Sequence, residues 1–266
     1  FFSVVAMALD QLPKGWFSEV NSFWPGQAMS LEVDEVLFEG KSDFQDVKVY
    51  KTKAWGTMFT LDGCIQVCDK DECSYHENIA HIPLFSHPDP KKVLIIGGGD
   101  GGAMREVLKH KGVESVTLCD VDKMVPEVSR KYFPKLACAF DDPRAELIIG
   151  DGFAYLEDKK DMYDVLIVDS SDPDGPASTL FGEQFFTRCK TALKEGGTLV
   201  TQAENIWIHL ELIASMKKFI ESIGWASVEY ANIGIPSYPS GGIGFFVCSK
   251  RGSCKEMARP IAPDML

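Results

Sequence analysis

Hydrophobic and polar residues follow two different rhythms along this chain, and the change falls near residue 91. Between Leu31 and about Val67, short runs rich in β-branched and aromatic residues alternate with turn signals, in "LEVDEVLFEG", "FQDVKVYKT", "WGTMFTLDG" and "CIQVC". Period-two alternation punctuated by Gly and Asp predicts an antiparallel meander of strands and hairpins. "DECSYHENIAHIPLFSH" then carries apolar positions at helical spacing, and "PDP" ends it, because proline does not continue a helix.

After residue 91, apolar runs of strand length alternate with helical segments. Strands are predicted over 92–96, 115–120, 145–149, 163–169, 197–202, 226–232 and 244–249, with helices over 101–110, 122–132 and 206–223 among the connections. Repeated strand–helix units with apolar strands predict a mainly parallel sheet covered on both faces. "IPSYPSGG" replaces a helix between the last two strands, so these are expected to form an antiparallel hairpin at one edge. The fold class is therefore α/β, a Rossmann-like domain over 71–266 preceded by a small β module over 1–70. No internal repeat or low-complexity segment interrupts it.

Composition narrows the function classes. A chain of 266 residues can bury a substantial core. Its 27 Lys and Arg against 39 Asp and Glu give a formal net charge of −12, which disfavours nucleic acid, since that binding rests on neutralising phosphates. The same excess aids solubility and attracts cationic substrates. No apolar run reaches the length of a membrane span. The opening "FFSVVAMAL" has no basic leader and runs into Asp10, so no signal peptide is expected, and the missing Met points to a trimmed or tagged start. Eight cysteines are scattered with no C-x-x-C pair, a usage that fits reduced thiols in a cytoplasmic protein better than a zinc site or disulfide framework.

Chemistry concentrates at the ends of the predicted parallel strands, where open α/β sheets bind their ligands. The first strand runs into "GGGDGG", with Gly97 and Gly99 placed to let a ligand lie against the backbone and Asp100 in their midst. The second ends at Asp120, the third is followed by Asp151 and Gly152, and the fourth ends at Asp169. An acid about twenty residues after a glycine loop can accept from both hydroxyls of a ribose. That spacing leaves a dinucleotide and an adenosyl sulfonium compound both open. Asp151 can meet an adenine amino group, cap the following helix, or do both. Asp100 repels a pyrophosphate or an amino-acid carboxylate and attracts an ammonium group, so the loop favours a positive ligand. "VDSSDPDGP" adds Asp172 next to Asp169 in a loop long enough to fold over a ligand. No His or further acid stands there at ligand spacing, so no metal is expected, and the pair reads as loop capping or, more sharply, as a site that binds an amine and takes its proton.

Taken together, these stretches resemble the spermidine synthase family of aminopropyltransferases. The likeness runs from "GWFSEVNSFWPGQAMSL" through "FQDV", "LDGCIQVCDKDECSYHE", "VLIIGGGDGGAMREV", "GDGFAYL", "VDSSDPDGPASTLFGEQFF" and "QAENIWIHL" to "IPSYPSGGIGFFVCSK", almost the whole chain after residue 14. The resemblance implies the methyltransferase version of the Rossmann-like fold. It also implies transfer of an aminopropyl group from decarboxylated S-adenosylmethionine, a co-substrate rather than a prosthetic group, to putrescine. Spermidine and methylthioadenosine are the products it implies, made by a cytoplasmic homodimer.

Carried over position by position, the resemblance makes Gln45, Gln66, His76, Gly97, Gly99, Asp100, Asp120, Asp151 and Gly152 the nucleoside-donor contacts. Tyr75, Asp169, Asp172, Glu204 and Tyr238 become the amine site, with Trp24 as an apolar wall and Asp169 as proton acceptor. Two positions depart from the usual pattern: Asp120 stands where Glu is frequent, and His76 where Gln is common. The closing "RPIAPDML" comes earlier than in typical family chains, so a missing terminal segment is expected. A putrescine N-methyltransferase, a spermine synthase and a catalytically silent binding subunit of the same fold are the alternatives. Retained Asp100 argues against the first, whose donor carries a carboxylate, and the intact Tyr75, Asp169, Asp172 and Tyr238 argue against the last.

Overall fold

In the computed structural model, residues 14–171 and 180–253 are described. The N-terminal part is a five-stranded antiparallel sheet in sequence order: β1 (Trp16–Glu19), β2 (Met29–Lys41), β3 (Asp46–Thr52), β4 (Thr57–Leu61) and β5 (Cys64–Cys68). Asp62 and Gly63, the only two residues between β4 and β5, both have positive φ (48° and 79°), the backbone of a type I′ hairpin turn for which Asp-Gly is a preferred sequence. The four residues of β1 are too few to show a period, which is why pattern alone passes over them.

Helix α1 (Glu72–Ser86) leads to the second sheet. There follow β6 (Lys92–Gly97), α2 (Gly102–Lys109), β7 (Ser115–Asp120), α3 (Met124–Tyr132), the single-turn α4 (Pro134–Ala137), β8 (Ala145–Ile149), the single-turn α5 (Gly152–Tyr155) and β9 (Tyr163–Asp169). Then come α6 (Glu183–Ala192), β10 (Leu193–Gln202), α7 (Leu210–Ser222), β11 (Ser227–Gly234) and β12 (Gly242–Ser249). The strand order is β11-β12-β10-β9-β6-β7-β8. Pairing is parallel from β10 to β8, and β11 and β12 form the expected antiparallel hairpin, with β12 also antiparallel to β10. Fold class and topology are thus those of a Rossmann-like sheet. Helix α7 starts at Leu210 rather than at 206, because the Asn205 side chain accepts from the Trp207 N–H (2.8 Å) and holds those residues in a turn first.

Side-chain alternation divides the core into two layers. Val93, Ile95, Val165 and Ile167 pack under Ile79, Leu84, Met104 and Val107 of α1 and α2. Leu94, Ile96, Leu166 and Val168 pack on the other face against Phe185, Phe186, Ile213 and Ile220 of α6 and α7. Every second residue of a strand faces one side, so an apolar run on a central strand feeds both layers. Val47, Val49, Phe59 and Val67 of the small sheet pack against Val125, Val128, Phe133 and Leu136. This third cluster seats the small sheet beside the carboxyl ends of the parallel strands.

Candidate active site

The chain runs outward from β6 to β7 and β8, then returns to place β9 on the other side of β6. That reversal opens a crevice beyond the strand ends. Register aligns its rim: Gly97 stands opposite Asp169, Ile96 opposite Cys119, and Asp120 opposite Ile149. Over the crevice lies a cavity of about 720 Å³ whose walls come from both sheets. Trp24, Gln45, Gln66, Tyr75 and His76 line it on one side. Gly97, Gly99, Asp100, Asp120, Asp151, Gly152 and Asp169 line its floor, and Glu204 and Tyr238 close the far end. Asp172 lies outside the described residues.

Backbone geometry explains the glycines. Gly97 has φ +79°, and a Cβ there would stand 2.1 Å from the Asp169 carbonyl oxygen, which accepts from the Gly98 N–H at 2.8 Å. Only glycine permits this approach. The loop is therefore shaped by its backbone contact with the end of β9.

Asp120 is buried and accepts from the Gly99 N–H (2.9 Å) through Oδ2 and the Asp122 N–H (2.8 Å) through Oδ1. Burial pushes its carboxyl up to about 6, while those two N–H groups pull the other way. Asp151 caps α5 by accepting from the Phe153 N–H (2.8 Å), so the capping role is present. The Gln45 amide donates to Asp122 Oδ2 (2.9 Å), which also accepts from the Ser42 hydroxyl (2.6 Å). Asp122 thus fixes Gln45 at the cavity wall. It stands two residues after Asp120 and was not singled out from sequence, since a second acid there reads as the start of a helix.

Asp169 is the focus of the far half. Its Oδ1 accepts from the Tyr75 hydroxyl at 2.7 Å, and its Oδ2 has no hydrogen-bond partner among the described residues. Burial and then the nearby Asp100 carboxylate push its carboxyl up to about 7, against the pull of His76 and the Tyr75 hydrogen bond. Burial, reinforced by the Asp169 charge, holds both the Tyr75 and the Tyr238 hydroxyls well above the usual phenol range, so both remain donors. Tyr75 packs 5.9 Å from the Tyr238 ring and edge-on against Phe245 (5.4 Å), which fixes its hydroxyl. Tyr238 donates to the Gln66 carbonyl (2.7 Å), linking the two sheets across the cavity.

Two residues that pattern reasoning passed over hold the far end together. Asn205 Nδ2 donates to the carbonyls of Pro239 (2.9 Å) and Gly242 (2.6 Å), clamping the turn that carries Tyr238. Asp71 accepts from the Ser237 N–H (2.8 Å) and hydroxyl (3.1 Å) on the other side of that turn. Glu204 is buried in a left-handed conformation, φ 57°, and its carboxylate lies 3.2 Å from His209 Nδ1. His209 Nε2 meets the Phe23 carbonyl at 2.7 Å, next to Trp24, so the Trp24 wall and the Glu204 acid share one support. Among the described residues no group of three or more His, Cys, Asp or Glu could hold a metal ion, and no helix is long and apolar enough to cross a membrane.

A Rossmann-like sheet whose strand ends present a glycine loop, a buried acid after the second parallel strand and a Tyr–carboxylate pair fits an enzyme for a nucleoside-bearing ligand. Comparison with known proteins makes this specific. Residues 72–258 match the family described as "Spermine/spermidine synthase domain", and residues 15–69 match "Spermidine synthase tetramerisation domain". Spermidine synthase of Dictyostelium discoideum is 49% identical over 97% of this chain and 90% of its own length. Spermidine synthase 2 of Datura stramonium is 50% identical over 94% of this chain and 79% of its own. A crystal structure of a spermidine synthase with the transition-state analogue AdoDATO superposes with a TM-score of 0.89 at 36% identity, covering 96% of this chain and 87% of that one. The Thermotoga maritima spermidine synthase gives 0.86 at 35% identity, covering 96% and 86%. The chain belongs to the spermidine synthase family, whose members are aminopropyltransferases.

Proposed function

We propose that this enzyme makes spermidine by moving the aminopropyl group of decarboxylated S-adenosylmethionine onto putrescine, with Asp169 as the proton acceptor. The observation that carries the residue assignment is the 2.7 Å Tyr75–Asp169 hydrogen bond at the strand-end rim, beside the Gly97–Asp100 loop in the same cavity. An alkylammonium has a pKa of roughly 10, so only about one molecule in a thousand carries a free lone pair at neutral pH. Asp169, with one oxygen oriented by Tyr75, takes a proton from the ammonium, and the family resemblance assigns Asp172, outside the described residues, to the same amine site. The freed nitrogen attacks the methylene next to the sulfonium. The carbon–sulfur bond breaks, its electron pair stays on sulfur, and methylthioadenosine departs as a neutral thioether. Holding donor and amine in line supplies several kcal/mol, to order of magnitude, without a covalent intermediate.

In this reading Asp120 receives the ribose hydroxyls and Asp151 and Gly152 border the adenine. Gln45, Gln66, His76, Gly97, Gly99 and Asp100 complete the donor end. Tyr238 orients the reacting nitrogen, Trp24 lies along the putrescine methylenes, and Glu204 anchors the distal ammonium. A cytoplasmic homodimer belongs to the same proposal. The N-terminal match to a tetramerisation domain supports association, and native mass in solution separates dimer from tetramer. The decisive experiment offers S-adenosylmethionine and its decarboxylated form with putrescine, cadaverine and spermidine, and identifies products by mass. Aminopropylated putrescine is expected; predominant methyl transfer, or a preference for spermidine as acceptor, would refute the assignment.

A further inference from the structure

We propose that His76, besides bordering the donor end, is a resident cation that positions Asp100, clamped between Glu72 and Asp100 so that the acid cluster of the site keeps one fixed positive charge. Nδ1 of His76 lies 2.6 Å from Glu72 Oε2, and Nε2 lies 3.2 Å from Asp100 Oδ1. An ionised carboxylate only accepts hydrogen bonds, and a neutral imidazole donates from one nitrogen alone. With a carboxylate oxygen 2.6 Å from one nitrogen and 3.2 Å from the other, the imidazolium is the form that presents a positively charged N–H to each.

The surroundings hold it in that form. Arg105 grips Glu72 with two guanidinium nitrogens (3.1 and 2.9 Å) and also donates to Glu106 (2.7 Å). Glu72 is thereby kept ionised and oriented, as the downward displacement of its carboxyl reflects, His76 and Arg105 outweighing its burial. Asp100 Oδ1 is pinned a second time by the Gly102 N–H (2.6 Å). The ring itself lies against Gly102, where a Cβ would come within 2.3–2.4 Å of three of its atoms. The second glycine pair of "GGGDGG" therefore makes room for an imidazole as well as for a ligand. The ring is buried, 2% exposed. Glu72 and Tyr75 face it from α1, Asp100 from the glycine loop, Arg105 from α2, and Asp169 from the end of β9. Burial opposes charge on the ring, but Asp100 and Glu72 outweigh it and push the imidazole up to about 10.

This changes what Asp100 presents. It is not a bare acid in a glycine loop but one half of an internal ion pair, fixed in direction. The cation pulls the Asp169 carboxyl down against its burial and the Asp100 charge, toward the ionised form that a proton acceptor requires. The kinetic arm of the test rests on the proposed role of Asp169, and the spectroscopic arm does not.

In the full chain labelled with ¹⁵N-histidine, the His76 ring, identified among five histidines by its loss in His76→Gln, is expected to keep both nitrogens protonated through pH 8. A ring that titrates near the ordinary value of about 6.5 overturns the proposal. Glu72→Gln is expected to bring that deprotonation down into the measured range; an unmoved titration also counts against it. In kinetics, His76→Gln is expected to move the acid limb of kcat/KM upward by about one pH unit. Activity at pH 6.5 then falls about tenfold relative to activity at pH 9, with the melting temperature little changed. A loss equal at every pH assigns His76 a merely structural role and refutes the charge. If no aminopropylated product forms at all, the proposed reaction fails while the nitrogen spectra still decide this point.

Discussion

Replacing Asp169 with Asn tests the electrostatic account of the site by asking for opposite effects on activity and stability. In the folded chain the Asp169 carboxyl is lifted from 3.8 to about 7, so ionising it inside the protein costs about 4 kcal/mol, at about 1.36 kcal/mol per pH unit. The sign follows from proton linkage. A folded-state pKa above the unfolded one means that the folded form binds the extra proton between pH 4 and 7. Stability contributed by this group is full below about pH 4 and lost as pH rises through about 7. Asn is nearly isosteric, can still accept from the Tyr75 hydroxyl and carries no charge. Because the acid cluster shares its energy among Asp100, Asp120 and Asp169, the substitution returns part of that cost, about 1–3 kcal/mol at pH 8. For a chain of this length this raises the melting temperature by ~2–10 °C. At pH 4.5 the gain disappears, since the native carboxyl is then already neutral. Meanwhile loss of the proposed proton acceptor lowers kcat about 10²- to 10⁴-fold. Thermal melts of both proteins without substrate at pH 4.5 and pH 8, beside a methylthioadenosine-release assay, give all three quantities. Unchanged or lower stability at pH 8 would show that Asp169 is not strained by burial, and activity within a factor of a few of the parent would show that it is not the acceptor.

Three further outcomes follow from the same geometry. Tyr75→Phe removes a 2.7 Å hydrogen bond to a half-buried carboxylate, worth about 1.5–3 kcal/mol; the Asp169 carboxyl then rises further, and a pH–rate profile should show the acid limb moved up by one to two units with activity recovering above it. Gly97→Ala puts a Cβ 2.1 Å from the Asp169 carbonyl at φ +79°, so the strand ends separate, and denaturant titration should show a loss of about 2 kcal/mol or more with activity abolished. Asn205→Ala frees the carbonyls of Pro239 and Gly242; the Tyr238 turn loosens, KM for the amine rises several-fold, and KM for the donor stays unchanged, whereas an equal rise in both would contradict its role at the amine end.

How much of this was readable in the chain differs from element to element. Glycine, aspartate and alternating apolar residues report local requirements, so the DG hairpin turn, the central strands and the acids at their ends were legible without coordinates. Asp100, Asp120, Asp151 and Asp169 fall on one rim because each ends or follows a strand of one parallel sheet, and the resemblance named the aromatic and amide partners. Periodicity alone starts helix α7 four residues too early, since it does not see the Asn205 side chain that holds back its start.

What the sequence determined by itself is the list of chemical groups and the order in which strands and helices occur, because both depend on neighbours within a few residues. Tertiary structure alone decided how those groups are charged and held. Glu72 and Asp100 stand on either side of His76, Arg105 fastens Glu72, Asp122 fixes Gln45, and Asn205 clamps the turn of Tyr238. Apart from Glu72 and His76, one turn apart on α1, these partners meet across loops, helices and two different sheets. Burial, which sets the Asp169 carboxyl near 7, exists only once those layers have closed around it.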